Sequence, residues 1–409
     1  MGQKKVLIVL FSTLLLDMIG IGMLVPVLPV LFTDPTSPSF ILHGYSVAGQ
    51  YFIAGLLTAL FGLMQFIASP LLGELSDAYG RKRLLTLGVA VLAVSQLIFG
   101  FGIEIASLWL LLVSRMVAGL AGANFSIAQA AIADVSAPNE RAKNFGLIGA
   151  AFGIGFILGP LLGGFIATAA HSAAAPFWFA GVLGICNVVF ISLFLPETHK
   201  SMSGAHRFHP LKGLHNIRDA FRDKDAWPVY LTNFLYMSGF SLFISFIGVL
   251  LVARFHFNEA AIGTFFGVVG AWIVVTQLFI LRLVAGRYTE RQILRVSLLL
   301  VGVCISLYPF MPDTFWLYVL LPIMAVPQGL AFANLGALVS KSVSPEKQGA
   351  ALGINGSLMA LSQGVIPIFG GAVIGVVGLG TSFILGALLI GSAWLVLFGP
   401  ARRRHPRVG

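Results

Sequence analysis

The sequence predicts an all-α polytopic membrane protein with twelve transmembrane helices in two pseudo-symmetric six-helix bundles. Of its 409 residues, 58% are hydrophobic and only 10% are charged. Twelve apolar runs can be read, each near or above the roughly 20 residues needed to cross about 30 Å of hydrocarbon. Nearly every Lys and Arg falls in alternate gaps between those runs. In lipid the backbone must satisfy its own hydrogen bonds, so runs of this length are helices. A β-barrel is excluded, because polar and apolar residues do not alternate.

The runs lie near 6–32, 47–76, 84–103, 106–134, 144–169 and 175–196, then 227–253, 260–286, 291–312, 314–340, 348–377 and 379–399. The first has a basic start but is too long for a signal h-region. It ends in Pro26-Val27-Leu28-Pro29 rather than a small-residue cleavage site. One side of the membrane receives Lys4 and Lys5, Arg81 to Arg83, Arg141 and Lys143, and the cluster from Lys200 to Lys224. It also receives Arg287 to Arg295, Lys341, Lys347 and the tail Arg402 to Arg404. The opposite gaps hold one base, Arg254. Cationic loops stay cytoplasmic, so both termini are expected inside. The net charge of +10 is this asymmetry, with affinity for anionic lipid head groups rather than nucleic acid.

The longest polar stretch divides the chain into a bundle at 1–196, a cytoplasmic loop at 197–226, a second bundle at 227–401 and a basic tail at 402–409. A segment recurs across the halves. Ser136-Ala137-Pro138-Asn139-Glu140-Arg141 precedes a helix reaching Pro160, Gly163 and Gly164, and Ser344-Pro345-Glu346-Lys347-Gln348 precedes one reaching Pro367, Gly370 and Gly371. Both begin on the basic side, so the halves are parallel repeats with a substrate site expected between them. Cys186 and Cys304 lie in apolar runs and read as packed thiols. His199, His206, His209 and His215 fit no metal template, and no metal is expected.

Two features carry chemistry. The second span ends Gly73-Glu74-Leu75-Ser76-Asp77-Ala78-Tyr79-Gly80-Arg81-Lys82-Arg83, an acidic helix end meeting a tight turn and three bases. Asp77 is placed to accept from a neighbouring helix N-terminus and Arg81 to pair with an acid, a conformational latch. The same residues also fit an ordinary charged interfacial turn. The second feature is depth. Asp17 is the only acid well inside a span and Arg115 the only deep base. At 1.5 Å per residue, Asp17 sits roughly 16 Å and Arg115 roughly 18 Å from the basic side. A buried unpaired charge is expensive, so the two are expected to pair, directly or through water.

These segments resemble the major facilitator superfamily. The turn resembles its G-x-L-x-D-x-x-G-R-[RK] signature, while the segment from Leu112 to Gly119 and that from Gly149 to Gly164 resemble motifs of its drug/proton antiporters. Leu16-Asp17-Met18-Ile19-Gly20-Ile21-Gly22, Met64-Gln65, Pro70 and Ile132-Ala133-Asp134 look like TetA-type tetracycline/proton antiporters. The resemblance implies the major facilitator fold and alternating access in a cell inner membrane. It implies proton coupling through Asp17 and Arg115, and a latch of Gly73, Asp77, Gly80, Arg81, Asp134 and Arg141. It further implies an antiporter motif of Gly149, Gly155, Gly159, Pro160, Gly163 and Gly164 that packs the fifth helix against the eighth, where Gly263, Gly267 and Gly270 offer small residues. The chain departs from TetA-type proteins where they carry a coupling His and Asp, since Gln277 and Val301 stand near those places and Ser95 near a third acid.

The substrate contacts proposed from polarity alone are Gln65, Asn124, Gln129, Asn233, Tyr236, Gln277, Gln328, Asn334 and Asn355. With 34 Phe, such a cavity suits amphipathic molecules; each amide equally fits an interhelical hydrogen bond. The expectation is a monomeric, proton-driven exporter of a small amphipathic compound, without a cofactor and not an enzyme. A metabolite or siderophore exporter, or an uptake carrier, is the alternative on the same scaffold. A membrane receptor is least supported, and an ATP-driven pump would need a phosphate-binding loop that the sequence lacks.

Overall fold

The computed structural model describes residues 3–137, 140–199, 218, 226–284, 286–343 and 348–398. Twelve helices in it are long and apolar enough to cross a membrane. In the first half they are α1 (Gln3–Thr33), α2 (Val47–Tyr79), α3 (Arg81–Glu104), α4 (Leu108–Val135), α5 (Arg141–Ala169) and α6 (Ala175–Phe194). In the second they are α7 (Trp227–Phe255), α8 (Glu259–Val284), α9 (Glu290–Phe310), α10 (Thr314–Lys341), α11 (Gln348–Val377) and α12 (Gly380–Phe398). Most of the central loop and the whole basic tail lie outside the described residues.

Local chemistry explains where helices start and bend. The side chains of Ser46, Asn258 and Asp313 accept from the amides of Gly49, Ala261 and Trp316, and Thr289 with Gln292 closes a capping box at the start of α9. α1 is interrupted at Met23, because Pro26 has no N–H to give the Gly22 carbonyl. α4 tightens into a 3₁₀ turn at Ala121–Ala123, just before Asn124. α8 carries a π-helical turn at Thr276–Ile280, which places Gln277 on a bulge.

Two helix pairs make most of the contact between the halves, α2 with α11 and α5 with α8, and α1 adds a smaller one where Pro29 meets Gly248 of α7. The half-chain repeat exchanges these pairs, so they are one contact made twice. Both are built on glycine. A Cβ at Gly371 would come within 2.7 Å of the Tyr51 carbonyl, and one at Gly62 within 2.5 Å of the Gly364 amide. On the other seam, a Cβ at Gly263 would lie 2.5 Å from the Pro160 carbonyl, and Gly164 packs against Glu259 and Ala260. Small residues let the backbones approach this closely.

The seams are not uniform along the membrane normal. Tight glycines cluster toward the neutral end, where α2 and α8 begin and α5 and α11 finish. Toward the basic end, Gly73 of α2, Gly146 and Gly149 of α5, Gly336 of α10, and Gly353 and Gly356 of α11 meet nothing within 4 Å. The two bundles are therefore closed at the neutral end and splayed at the basic end. α5 also differs from expectation. Its Gly155, Gly159 and Gly163, four residues apart, press on Met18, Gly22 and Met23 of α1, while Pro160, Leu161 and Gly164 meet α8. Only Pro160 and Gly164 of the motif expected against α8 face it; Gly155, Gly159 and Gly163 hold α1 inside the first bundle, and Gly149 meets neither.

Cys304 is buried as expected, whereas Cys186 is exposed on the outer face of α6. That position corrects the reading of both thiols as packed. α6 is a peripheral helix, so an apolar run there does not imply burial in protein.

Candidate functional site

The acid of α1 lies inside the first bundle. Asp17 is 5% exposed, and its two carboxylate oxygens accept from two amides. Asn124 Nδ2, just past the 3₁₀ turn of α4, donates to Oδ2 at 2.9 Å. Asn187 Nδ2 of α6 donates to Oδ1 at 3.2 Å and also to the Thr13 carbonyl at 3.2 Å. The other face of each amide is unused, because Asn124 Oδ1, Asn187 Oδ1 and the Thr13 hydroxyl have no partner among the described residues. A cavity of ≈ 10 Å³, lined by Asp17, Gly20 and Gln96, adjoins the acid. That is about the volume that holds one water.

Arg115 is 3% exposed at the same level of the bundle. Of the two arrangements expected, direct or through water, the direct ion pair is not formed. Among the described residues no ion pair joins Asp17 to Arg115, and a glutamine stands between α1 and the guanidinium. Arg115 Nη2 donates to Gln96 Oε1 at 3.3 Å and to Ser114 Oγ at 3.4 Å, and Gln96 Nε2 donates to the Gly20 carbonyl at 3.0 Å. The guanidinium lies 4.5 Å from the centre of the Phe99 ring, an electrostatic contact that partly replaces water. Its Nε has no partner among the described residues. Helix spacing identifies two charges at one depth, but it does not reveal that Gln96, an amide in an otherwise apolar run, fills the gap.

The α2–α3 turn forms a second cluster at the basic end. Gly80 has φ +98°, a conformation open essentially to glycine. Arg81 is ion-paired with Asp77 one turn earlier, and its Nε donates to Asp134 Oδ2 of α4 at 3.2 Å. Asp77 is thus engaged by Arg81 rather than by the N-terminus of a neighbouring helix. Glu197, beyond the end of α6, completes the cluster. Its Oε1 accepts from the Arg81 amide at 2.8 Å and from the Thr198 and His199 amides at 3.0 Å each, and its Oε2 accepts from the Lys82 amide at 3.2 Å. A carboxylate here satisfies two of the orphan amides that begin α3 and complements its dipole. His199 Nδ1 lies 3.6 Å from Asp134 Oδ2. Sequence alone marks neither Glu197 nor His199 as a site residue, because both read as the start of the polar loop. The side chain of Arg141 lies outside the described residues.

The first bundle thus holds a buried acid, the basic end a charged cluster, and two glycine seams join the repeats. A profile of the Major Facilitator Superfamily matches residues 10–321 and 229–409. The chain belongs to that superfamily. The class C tetracycline resistance protein of Escherichia coli is 31% identical over 371 residues, 89% of this chain and 87% of that one. The quinolone resistance protein NorA of Staphylococcus aureus is 27% identical over 378 residues, 90% of each chain. The solved human organic anion transporter MFSD10 (TETRAN) superposes with a TM-score of 0.74 at 25% identity, covering 97% of this chain and all of the other.

As a major facilitator protein the chain is asymmetric in its polar groups. The second bundle has neutral pairs where the first has charge. Tyr236 of α7 donates to Gln328 Oε1 of α10, and Asn233 of α7 donates to Asn355 of α11. Ser238 and Ser362 join the same two helices as that second pair at 3.2 Å. Gln277, on the π-turn of α8, donates to the Gly329 carbonyl at 3.3 Å. Gln65 of α2 donates to the Gly122 carbonyl of α4 at 3.1 Å, and Asn334 to the Leu330 carbonyl of its own helix at 2.8 Å. Asn124 belongs to the acid rather than to a substrate surface. Gln129 is half-buried on the same α4 segment. The other substrate-contact candidates therefore divide into a second-bundle cluster joining α7, α8, α10 and α11, and isolated amides.

Proposed function

We propose that this protein is a proton-coupled antiporter that exports a small amphipathic compound across a bacterial inner membrane, with both termini in the cytoplasm. The observation that carries the reading is Asp17, the only acid deep in the membrane, held in the first bundle by two amides and away from the base at its level. A carboxylate that is not locked in an ion pair is free to gain and lose a proton. With the basic loops cytoplasmic, the splayed end faces the cytoplasm, and the arrangement is inward-facing. In that state a proton taken up from outside leaves the acid as cargo enters.

The proposed steps use this chain's own groups. Protonation of Asp17 removes one acceptor charge from Asn124 and Asn187, so α4 and α6 are held less firmly to α1. Because α1 also packs through Gly22 and Met23 on the α5 glycines, a shift of α1 reaches the α5–α8 seam. The Asp77–Arg81–Asp134 cluster, strapped by Glu197, must rearrange when the basic end closes. The name of the tetracycline resistance relative supports a drug-like cargo for this chain, as does that of the quinolone resistance relative. The neutral second bundle supports a cargo recognised by amides and hydroxyls rather than by acids.

Purified protein in proteoliposomes, with tetracycline or a quinolone as probe, tests the reading. An imposed pH gradient is expected to drive probe flux, and probe addition to drive proton flux. Flux of neither species for any of a panel of dyes and antibiotics rejects the proposal.

A further inference from the structure

A groove of ≈ 660 Å³ opens at the neutral end of the protein, away from the acid and the latch. Its walls come from four helices and both halves: Tyr51 of α2, Leu250 and Arg254 of α7, Pro309 and Phe310 at the end of α9, and Ile384 of α12. Each contributes from within its last or first turns, so the groove lies where hydrocarbon gives way to head groups. Arg254 is exposed there and is the one base in the gaps on this side. It donates through Nη1 to the Pro309 carbonyl and lies 5.6 Å from the Phe255 ring centre. Among the described residues no carboxylate pairs with it.

We propose that this groove binds one anionic phospholipid of the leaflet at the neutral end, its phosphate on Arg254 and its acyl chains along Leu250, Phe310 and Ile384. Charge and placement both argue for that occupant. This cation stands against the loop-charge rule with no carboxylate among the described residues to neutralise it, and its planar guanidinium fits a phosphate with several N–H groups at once. The contact with Pro309 fixes the guanidinium at the groove wall and leaves its remaining N–H groups for the ligand. Apolar walls beside a single cation match a lipid better than a free anion. Tyr51 belongs to the first bundle and the other walls to the second, so a seated lipid spans the seam closed by Gly371 against the Tyr51 carbonyl. The bound lipid therefore favours the state that is closed at this end.

The test uses full-length protein, delipidated in detergent and titrated with dioleoyl phosphatidylglycerol or dioleoyl phosphatidylcholine, with retained lipids counted by native mass spectrometry. R254Q keeps an N–H for the Pro309 carbonyl while removing the charge. Wild type is expected to retain one more phosphatidylglycerol than R254Q, with about fivefold tighter apparent binding at that step. That factor follows from roughly 1 kcal/mol per basic residue near an anionic surface. Phosphatidylcholine counts should be the same for both. Equal phosphatidylglycerol counts, or no preference over phosphatidylcholine in the wild type, overturns the proposal. Saturation of the step by glycerol phosphate alone would also overturn it, as a simple anion site. Should R254Q misfold, Ile384→Trp narrows the groove and leaves the guanidinium. Loss of the same lipid in that variant supports the site, and its full retention rejects it.

Discussion

Replacing Asp17 by Asn separates coupling from folding, and the geometry says how much each should change. The substitution keeps volume and polarity, but the introduced amide offers one carbonyl where the acid offers two acceptors to Asn124 and Asn187. Left unpaired, one buried amide would cost about 1–3 kcal/mol. Both neighbours hold an unused Oδ1, so turning one of them over lets it accept from the new amide. The expected loss of stability is then at the low end of that range, and probe binding should stay within about threefold. Coupling should fail outright. One proton per cycle across a gradient of one pH unit supplies about 1.4 kcal/mol, enough for roughly a tenfold probe gradient. A carrier with no titratable group in its path only equilibrates, to a ratio near one. The assay is probe accumulation in inverted vesicles with the membrane potential clamped, alongside equilibrium binding to purified protein. A tenfold gradient in Asp17→Asn would refute the carrier role of the acid. Lost binding with lost accumulation would show instead that the spare amide oxygens do not rescue the site.

Other perturbations test the rest of the scaffold. Arg81→Ala breaks contacts to Asp77 and Asp134 together, and should lower turnover at least tenfold with probe affinity within threefold, compared by transport and binding. Glu197→Gln removes a helix-capping charge worth about 0.5–2 kcal/mol, and should raise the labelling of a cysteine introduced at the α2–α3 turn without abolishing binding. Gly80→Ala must place a side chain at φ +98° and against the Glu197 carboxylate, a cost of about 1–3 kcal/mol that a thermal melt should register. Gly149→Leu meets nothing within 4 Å and should fold normally, yet it should trap the basic end open, as read by spin-label distances across that end. Gly159→Leu instead presses on Gly22 and should lower thermal stability by about 1–3 kcal/mol or more.

Much of this is legible in the chain because membrane physics leaves few solutions. Run length gives the twelve spans, and the glycine and proline pattern of the fifth and eleventh runs marks the seam helices. Helical rise places Asp17 and Arg115 in one layer. It says nothing of their partners, because rise fixes height but not azimuth. Asn124, which donates to Asp17, directly follows the tightening of α4 at Ala121–Ala123, a turn no local propensity announces. Asn187 and Gln96 are visible as lone amides in apolar runs, which is the signal that a buried polar partner exists. Glu197 is hidden for another reason: it lies in a polar stretch, where a carboxylate needs no explanation until its four amide donors are seen.

The contrast between the bundles bears on how one scaffold can change cargo while keeping its driving force. On the proposed reading the proton site is enclosed by α1, α3, α4 and α6, all in the first half. The half-buried amides placed to meet cargo, Gln277 and Asn355, belong to the second, where Tyr236 and Gln328 are buried against each other. Coupling between them then passes through packing rather than through a shared charge. α1 touches α5 through the Gly22–Gly159 contact, and α5 touches α8 through Pro160 and Gly263, within about four turns of the π-bulge that carries Gln277. If that path is the coupling route, Gly263→Val should reduce the transport ratio while sparing proton binding at Asp17. Substitution of Gln277 by Ala should change which probes are carried and leave the ratio for carried probes intact. A Gln277→Ala protein that carries the same probes with a collapsed gradient would place coupling in the second half and reverse this division of labour.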